Sequence, residues 1–225
     1  MHLGRNNRSL EYNMGIHILE ETTNEKDLGV HVDNELKFHL HSSNAIKKAN
    51  RILGTIKNSC SSRDKTMITL LYKSMVCPHL EYGNAIWGPF YKKDIVGVER
   101  VQRRATKLVN GLYNKSYQER LQILKLPSLV YRRRRGDMIL VYKIVNSVYR
   151  MEINKFYSRS HNRTRGHQFK FEKKKATIHQ RINAFSVRTV NDWNSLPEDV
   201  VEAPSVNSFK SRLDKHWENR ENEIP

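Results

Sequence analysis

Apolar and polar residues change rhythm along this chain, and each change marks a different kind of element. Over the first 35 residues, short alternating pieces, Tyr12 to Leu19 and Leu28 to Val32, are punctuated by Gly4, Gly15 and Gly29, which predicts two or three short strands. From Asn44 the period becomes helical: Ile46, Ala49, Leu53 and Ile56 fall on one face, with Lys47, Lys48 and Arg51 on the others. Asp64 is placed to cap a second helix that turns Met67, Ile68, Leu71 and Met75 inward and stops at Pro78. A glycine-flanked turn from Leu80 to Pro89 comes next. A third helix, with Asp94 as its expected cap, carries the apolar line Ile95, Val98, Val101, Ala105 and Leu108; Arg100, Arg103, Arg104 and Lys107 occupy its other faces. Gly111 is the expected stop, and a short segment runs from Tyr117 to Leu124.

Beyond Pro127 the clearest helix is the one in which Met138, Val141, Tyr142, Val145 and Tyr149 keep helical spacing, preceded by the run Tyr131-Arg132-Arg133-Arg134-Arg135. Residues 150–181 are poor in aliphatics and hold ten Lys and Arg against two acids, so a mobile basic loop with a pair of short strands is expected there. Two last helices are indicated by Phe185 to Trp193 and by Val206, Phe209, Leu213 and Trp217, the second capped by Ser205. The predicted fold is mainly α: short N-terminal strands, a helical bundle, and a helical C-terminal region with a basic loop. The corresponding divisions are 1–35, 36–130 and 131–225.

Charge sharpens this outline. The 225 residues contain 40 Lys and Arg against 23 Asp and Glu, a net charge of +17, with a mean hydropathy of −0.72. The excess is segregated, because positions 36–197 hold 33 of the bases and only 9 of the acids. Acidic flanks enclose this body: Glu20, Glu21, Glu25, Asp27, Asp33 and Glu35 before it, and Glu198, Asp199, Glu202, Asp214, Glu218, Glu221 and Glu223 after it. A concentrated cationic surface attracts a polyanion by Coulomb attraction and counterion release, so nucleic acid is the first partner to expect. Aromatics such as Tyr72, Tyr82, Trp87 and Tyr91 interleave with the basic helices, although Trp193 and Trp217, spaced among aliphatics, read as core.

Several chemistries lack their residues. Apolar stretches such as Met138 to Val141 are far shorter than the roughly 20 residues a membrane span needs, so a transmembrane protein is excluded; ribosome-like or chromatin-like binding and an anionic membrane surface remain blander readings of the charge, with no membrane among the expected partners. The start of the chain has no secretory apolar region, and Cys60 and Cys77 form no disulfide framework. A reducing setting, nucleus or cytoplasm, is therefore expected, in which the sequons at Asn7, Asn114 and Asn162 stay inert. No glycine-rich phosphate loop occurs, and no Asp-Asp pair that could hold two catalytic metals. Cys60, Cys77, His79, His39 and His41 are zinc-ligand types without the close pairing of a structural zinc site. The Arg132 to Arg135 run reads either as a phosphate-contacting patch or nuclear localisation signal, or as an exposed basic helix start.

The order of residues is more specific than their composition. Met1-His2-Leu3-Gly4; Glu25 to Val30 followed by Leu36 to His41; Leu71 to Val76 leading to Leu80-Glu81-Tyr82 and Ala85-Ile86-Trp87; Glu99 to Thr106; Tyr117 to Pro127; Tyr131-Arg132-Arg133 with Arg135 to Met138; and Phe185 through Trp193 to Pro197 occur in an order and spacing that cover nearly the whole chain. In these pieces the chain resembles the C-terminal part of reverse transcriptases from non-LTR (LINE-type) retrotransposons of the jockey-like and chicken-repeat-like kinds. The resemblance implies part of an RNA-directed DNA polymerase. It implies that His2 and Gly4 belong to a remnant of the palm end and primer grip, and that residues from about Lys26 to Ile56 begin the thumb that holds template and primer.

The family's fingers, palm and paired catalytic aspartates have no counterpart here, so this chain reads as a fragment without catalysis of its own. No cofactor is expected in it, whereas the parent enzyme would use Mg2+. The expected function is binding of RNA, DNA or an RNA–DNA hybrid through the backbone. The candidate contacts are Lys47, Lys48, Arg51, Lys57, Arg100, Arg103, Arg104, Lys107, Arg132 and Arg133. The alternatives are a domesticated, non-catalytic nucleic-acid-binding protein and a relic without function.

Overall fold

The computed structural model describes residues 1–4, 7, 8, 10–160 and 166–218; Asn162, Glu221 and Glu223 lie outside the described residues. Two β-hairpins come first. Strand β1 (Asn13–Met14) pairs antiparallel with β2 (His17–Ile18), and β3 (Asn24–Asp27) with β4 (Val30–Asp33) in the register Asp27↔Val30. Among the described residues four short strands thus replace the expected two or three. The second hairpin turns on Leu28 and Gly29, both at positive φ, the twist that a two-residue connection between strands requires. Tyr82 Oη donates to Leu28 O at 2.7 Å and fastens this turn to the helices.

Asp33 is not merely part of an acidic face. Its carboxylate accepts from the backbone N–H groups of Glu35, Lys37 and Phe38, fixing the turn from which helix α1 (His39–Ser59) departs. Helix α1 therefore starts one turn before the periodicity indicates, and it buries Ala45, Ala49, Leu53 and Ile56.

Asp64 caps α2 (Lys65–Leu71) by accepting from Met67 N at 2.9 Å. Pro78 does not end the helical path. The chain passes through a π-helical turn, Tyr72–Val76, into α3 (Cys77–Glu81), where Pro78 occupies a first-turn position whose missing N–H leaves no bond unmade. The wide turn also resets the buried face to Ile68, Tyr72, Val76 and Leu80, every fourth residue, which leaves Met75 45% exposed rather than inward. After Gly83 come α4 (Asn84–Trp87) and α5 (Lys92–Lys107). Tyr91, not Asp94, is the residue before α5; Asp94 lies in its first turn and bonds His39 Nδ1.

A capping box of Ser116 and Glu119 starts α6 (Tyr117–Leu124), and Ser128 caps α7 (Leu129–Val145). The arginine run is thus inside α7 rather than ahead of it, and Tyr149 lies beyond its end. Within 150–181 the described residues form one 3-10 turn, Ile153–Lys155, a single bridge, Arg159↔Phe171, in place of two strands, and the start of a helix at His179. Tyr157, His167 and Phe171 of this segment are buried, while Lys173, Lys174 and Lys175 are exposed. The chain ends in α8 (His179–Ile182), α9 (Phe185–Asn194), α10 (Glu198–Val201) and α11 (Val206–His216), the last capped by Ser205.

The protein is mainly helical, with its two short antiparallel strand pairs at the N-terminal end. Buried side chains gather into two cores, one drawn from Val30 to Leu129 around Tyr72 and Trp87, the other from Tyr131 to Trp217 around Trp193 and Phe209. Helix α7 packs on α5 at one side and on α9 and α11 at the other, so it is shared between the two. Among the described residues no helix is long and apolar enough to cross a membrane.

Candidate nucleic-acid interface

Helix α1 contains no acidic residue, and its basic residues Lys47, Lys48, Arg51 and Lys57 are all exposed. Helix α5 lies alongside it in the same direction. Its start is joined by Asp94 to His39, its middle places Gly97 against Ile46, and its end sends Arg104 Nη1 to Asn50 Oδ1 at 3.0 Å. Arg100, Arg104 and Lys107 are exposed along α5.

Both acids of α5 are drawn away from this surface. Asp94 faces His39, and Glu99 is fully buried, accepting from Tyr117 Oη and from Leu129 N at 3.1 Å. Burial and then the Glu99 charge push the Tyr117 hydroxyl well above its ordinary pKa, so it stays protonated and donating. The result is a two-helix ridge of positive charge with no exposed carboxylate on either helix.

Two cations of α5 rest on aromatic rings. The Arg103 guanidinium, half-buried, lies 4.6 Å from the Tyr117 ring centroid, and the Lys107 ammonium 5.3 Å from that of Tyr113. On α1 a shallow depression of about 300 Å³ is lined by Asn44, Lys47, Lys48 and Arg51. Burial and then the nearby Lys48 charge lower the pKa of His79.

Arg132 and Arg133 do not join this ridge. Successive helical residues project about 100° apart, and α7 is packed on several sides, so its arginines meet different neighbours. Arg132 forms a two-pronged pair with Glu81 of α3, Arg134 with Asp192 of α9 at 2.8 and 3.1 Å, and Arg135 with Asp214 of α11. Arg133 is only 8% exposed and forms no ion pair among the described residues. As contacts for a ligand lying along the ridge these two residues are withdrawn: Arg132 is occupied by a carboxylate and Arg133 lies 8% exposed in the wall of a cleft away from it. The acids Glu81, Asp192 and Asp214 that engage the run lie far from it in sequence, and no local pattern announces them.

Gly4 sits at positive φ with its N–H bonded to Asn34 O at 3.0 Å, and His2 packs its ring 5.8 Å from that of Tyr12. Both therefore belong to the hairpin end. Of the zinc-ligand types, Cys77 is buried and its thiol is pushed up to about 11 by burial, which disfavours a thiolate; among the described residues no group of three or more His, Cys, Asp or Glu is placed to hold a metal ion. Sequence reading missed a second feature, in which Arg188 of α9 reaches Asp137 of α7 at 2.9 and 3.1 Å and Asn84 O of α4 at 3.0 Å. Comparison with protein-family models, curated proteins and solved structures finds no match to this chain.

Proposed function

We propose that the chain binds the phosphate backbone of RNA, DNA or an RNA–DNA hybrid along the α1–α5 ridge, as the thumb and post-thumb part of a non-LTR retrotransposon reverse transcriptase. One observation carries the binding: Lys47, Lys48, Arg51, Lys57, Arg100, Arg104 and Lys107 are exposed on two adjacent parallel helices that expose no acid. Such a ridge contacts phosphates without reading bases, so affinity is sequence-independent and set by salt. Arg103 and Lys107, held over tyrosine rings, have less freedom to lose on binding than free side chains.

The assignment to a polymerase thumb rests on the order of sequence motifs and is supported by the hairpins. Met14, Ile16, Ile18 and Leu28 are exposed on them, Ile16 at 92%, as expected of strands that continue a palm sheet. Because the sequence has no Asp-Asp pair to hold two metal ions, a primer-extension assay with this chain alone is expected to show no DNA synthesis.

Fluorescence anisotropy with a labelled RNA–DNA hybrid tests the ridge. Log K is expected to fall linearly with log salt, by about 0.7 to 0.9 per phosphate contact. The combined substitution Lys47→Ala, Lys48→Ala, Arg51→Ala is expected to reduce that slope by about 2 to 3 and to weaken binding at least tenfold, whereas Lys215→Ala on α11 leaves both unchanged. Equal loss from both variants, or a slope near zero for the unaltered chain, refutes the ridge as the contact surface.

A further inference from the structure

A cleft of about 290 Å³ opens between the Asn84–Phe90 segment, the start of α5, and helices α7 and α9. Three arginines line it, and two are neutralised within the fold: Arg188 by Asp137 at 2.9 and 3.1 Å, and Arg134 by Asp192 at 2.8 and 3.1 Å. Arg133 is the exception. It is buried, it forms no ion pair among the described residues, and its Nη1 has no hydrogen-bond partner. A guanidinium does not release its proton at any ordinary pH, so the cleft wall holds a positive charge that is removed from water and makes no direct ion pair, while the carboxylates of Glu99, Glu81 and Asp137 act on it through space. Asn84 Oδ1, on the facing wall, is likewise buried and unpartnered.

The rest of the lining says what kind of anion fits. Phe90, Val130 and Met138 give apolar walls, and Phe90 continues outward into a cluster of rings, 4.6 Å from Tyr91 and 5.1 Å from His179. The volume stands at the lower end of the roughly 300–1,000 Å³ usual for ligand sites, enough for one flat ring system with one charged group. The unbonded Arg133 Nη1 is a donor suited to an anionic oxygen such as that of a phosphate, and an aromatic wall matches a base.

We propose that this cleft takes a single nucleotide unit, its phosphate beside Arg133 and its base against Phe90. The choice of a phosphate over a carboxylate rests on the nucleic-acid binding proposed above. The nucleotide can be free or part of a single strand: both present a base and an anionic phosphate oxygen, the free monophosphate with close to two negative charges and the strand phosphodiester with one.

Thermal unfolding and calorimetric titration with adenosine 5′-monophosphate test this. The nucleotide is expected to raise the melting temperature of the chain, while inorganic phosphate and benzoate at the same concentration do not. Arg133→Gln is expected to abolish the rise and Phe90→Ala to weaken binding about tenfold; circular dichroism checks that each variant is folded, and the Phe90 variant carries the test if the Arg133 variant is not. A single-stranded oligonucleotide that displaces the mononucleotide identifies a strand as the source, and one that leaves it bound identifies the free nucleotide. No binding, binding that survives both substitutions, or benzoate binding as tightly as the nucleotide overturns the assignment. Hybrid binding measured on the same samples separates the two proposals: a cleft that fails while the ridge still binds removes only the cleft, and the converse removes only the ridge.

Discussion

Polar side chains inside this protein are where single residues matter most. Glu99 shows how a charge is accommodated: enclosed at 0% exposure, it is held by a tyrosine hydroxyl and a helix N-terminal amide, so its charge is stabilised away from the cationic surface. His41 is a different case. It is buried, accepts from His31 N at 3.2 Å and meets Trp87 edge-on at 4.6 Å; burial, reinforced by His31, lowers its pKa to about 4. The native state therefore keeps His41 neutral, while the unfolded chain takes up a proton near pH 6.5. Stability is fully present above pH 6.5 and declines as pH falls towards 4, by roughly 2–3 kcal/mol from this residue. Urea unfolding at pH 7 and pH 4.5 is expected to show that loss, and His41→Asn, whose amide oxygen can still accept from His31, is expected to flatten it. Burial lowers His167 as well, so it adds to the slope in the same direction.

Among elements, the α1–α5 pair decides whether the positive charge is gathered or scattered. Gly97 permits their close approach: a Cβ there would lie 2.9 Å from Ile46 Cδ1. That atom is the tip of a flexible side chain, and alanine is favoured over glycine in a helix by about 1 kcal/mol, so Gly97→Ala is expected to leave denaturant stability within about 1 kcal/mol of the original. Gly97→Leu is different, because overpacking of this kind costs typically about 1–3 kcal/mol; separation of the helices should also weaken hybrid binding. Salt-dependent anisotropy and urea unfolding on both variants check this. The π-helical turn at Tyr72–Val76 acts at the same scale. Without it, Pro78 would end the helix and Leu80 would not follow Val76 into the core.

Across the molecule, α7 connects two cores, and the ionic contacts around it join elements remote in sequence. Arg132 reaches α3, Arg134 reaches α9, Arg135 reaches α11, and Arg188 connects α9 to both Asp137 and the Asn84 carbonyl. Asp137 is buried, and burial raises its pKa against the opposing pull of Arg188. Arg188→Ala removes the ion-pair partner of that carboxylate and leaves it the bond from Asn84 Nδ2 at 3.3 Å, a change that costs about 3–5 kcal/mol when a buried pair loses one partner, and removes the α9 bond to the Asn84 carbonyl. Differential scanning calorimetry is expected to show a lower transition temperature for this variant, with the two cores melting as separate transitions. A single transition at the original temperature would show that the two cores do not depend on Arg188.

Residue order alone specifies the mainly helical class, the Asp64 and Ser205 helix starts, the inward tryptophans Trp193 and Trp217, and the concentration of basic residues in the middle of the chain. These arise from local periodicity and local hydrogen bonding, which a short window of residues specifies. Which cations face outward is set only by the packed fold. The arginine run looks like a surface patch in sequence because its carboxylate partners lie 51 to 79 residues away, and the ridge looks less pure than it is because Asp94 and Glu99 sit among its bases. Charge pairing between distant elements depends on how helices pack, and packing is set by the two cores together rather than by any one segment.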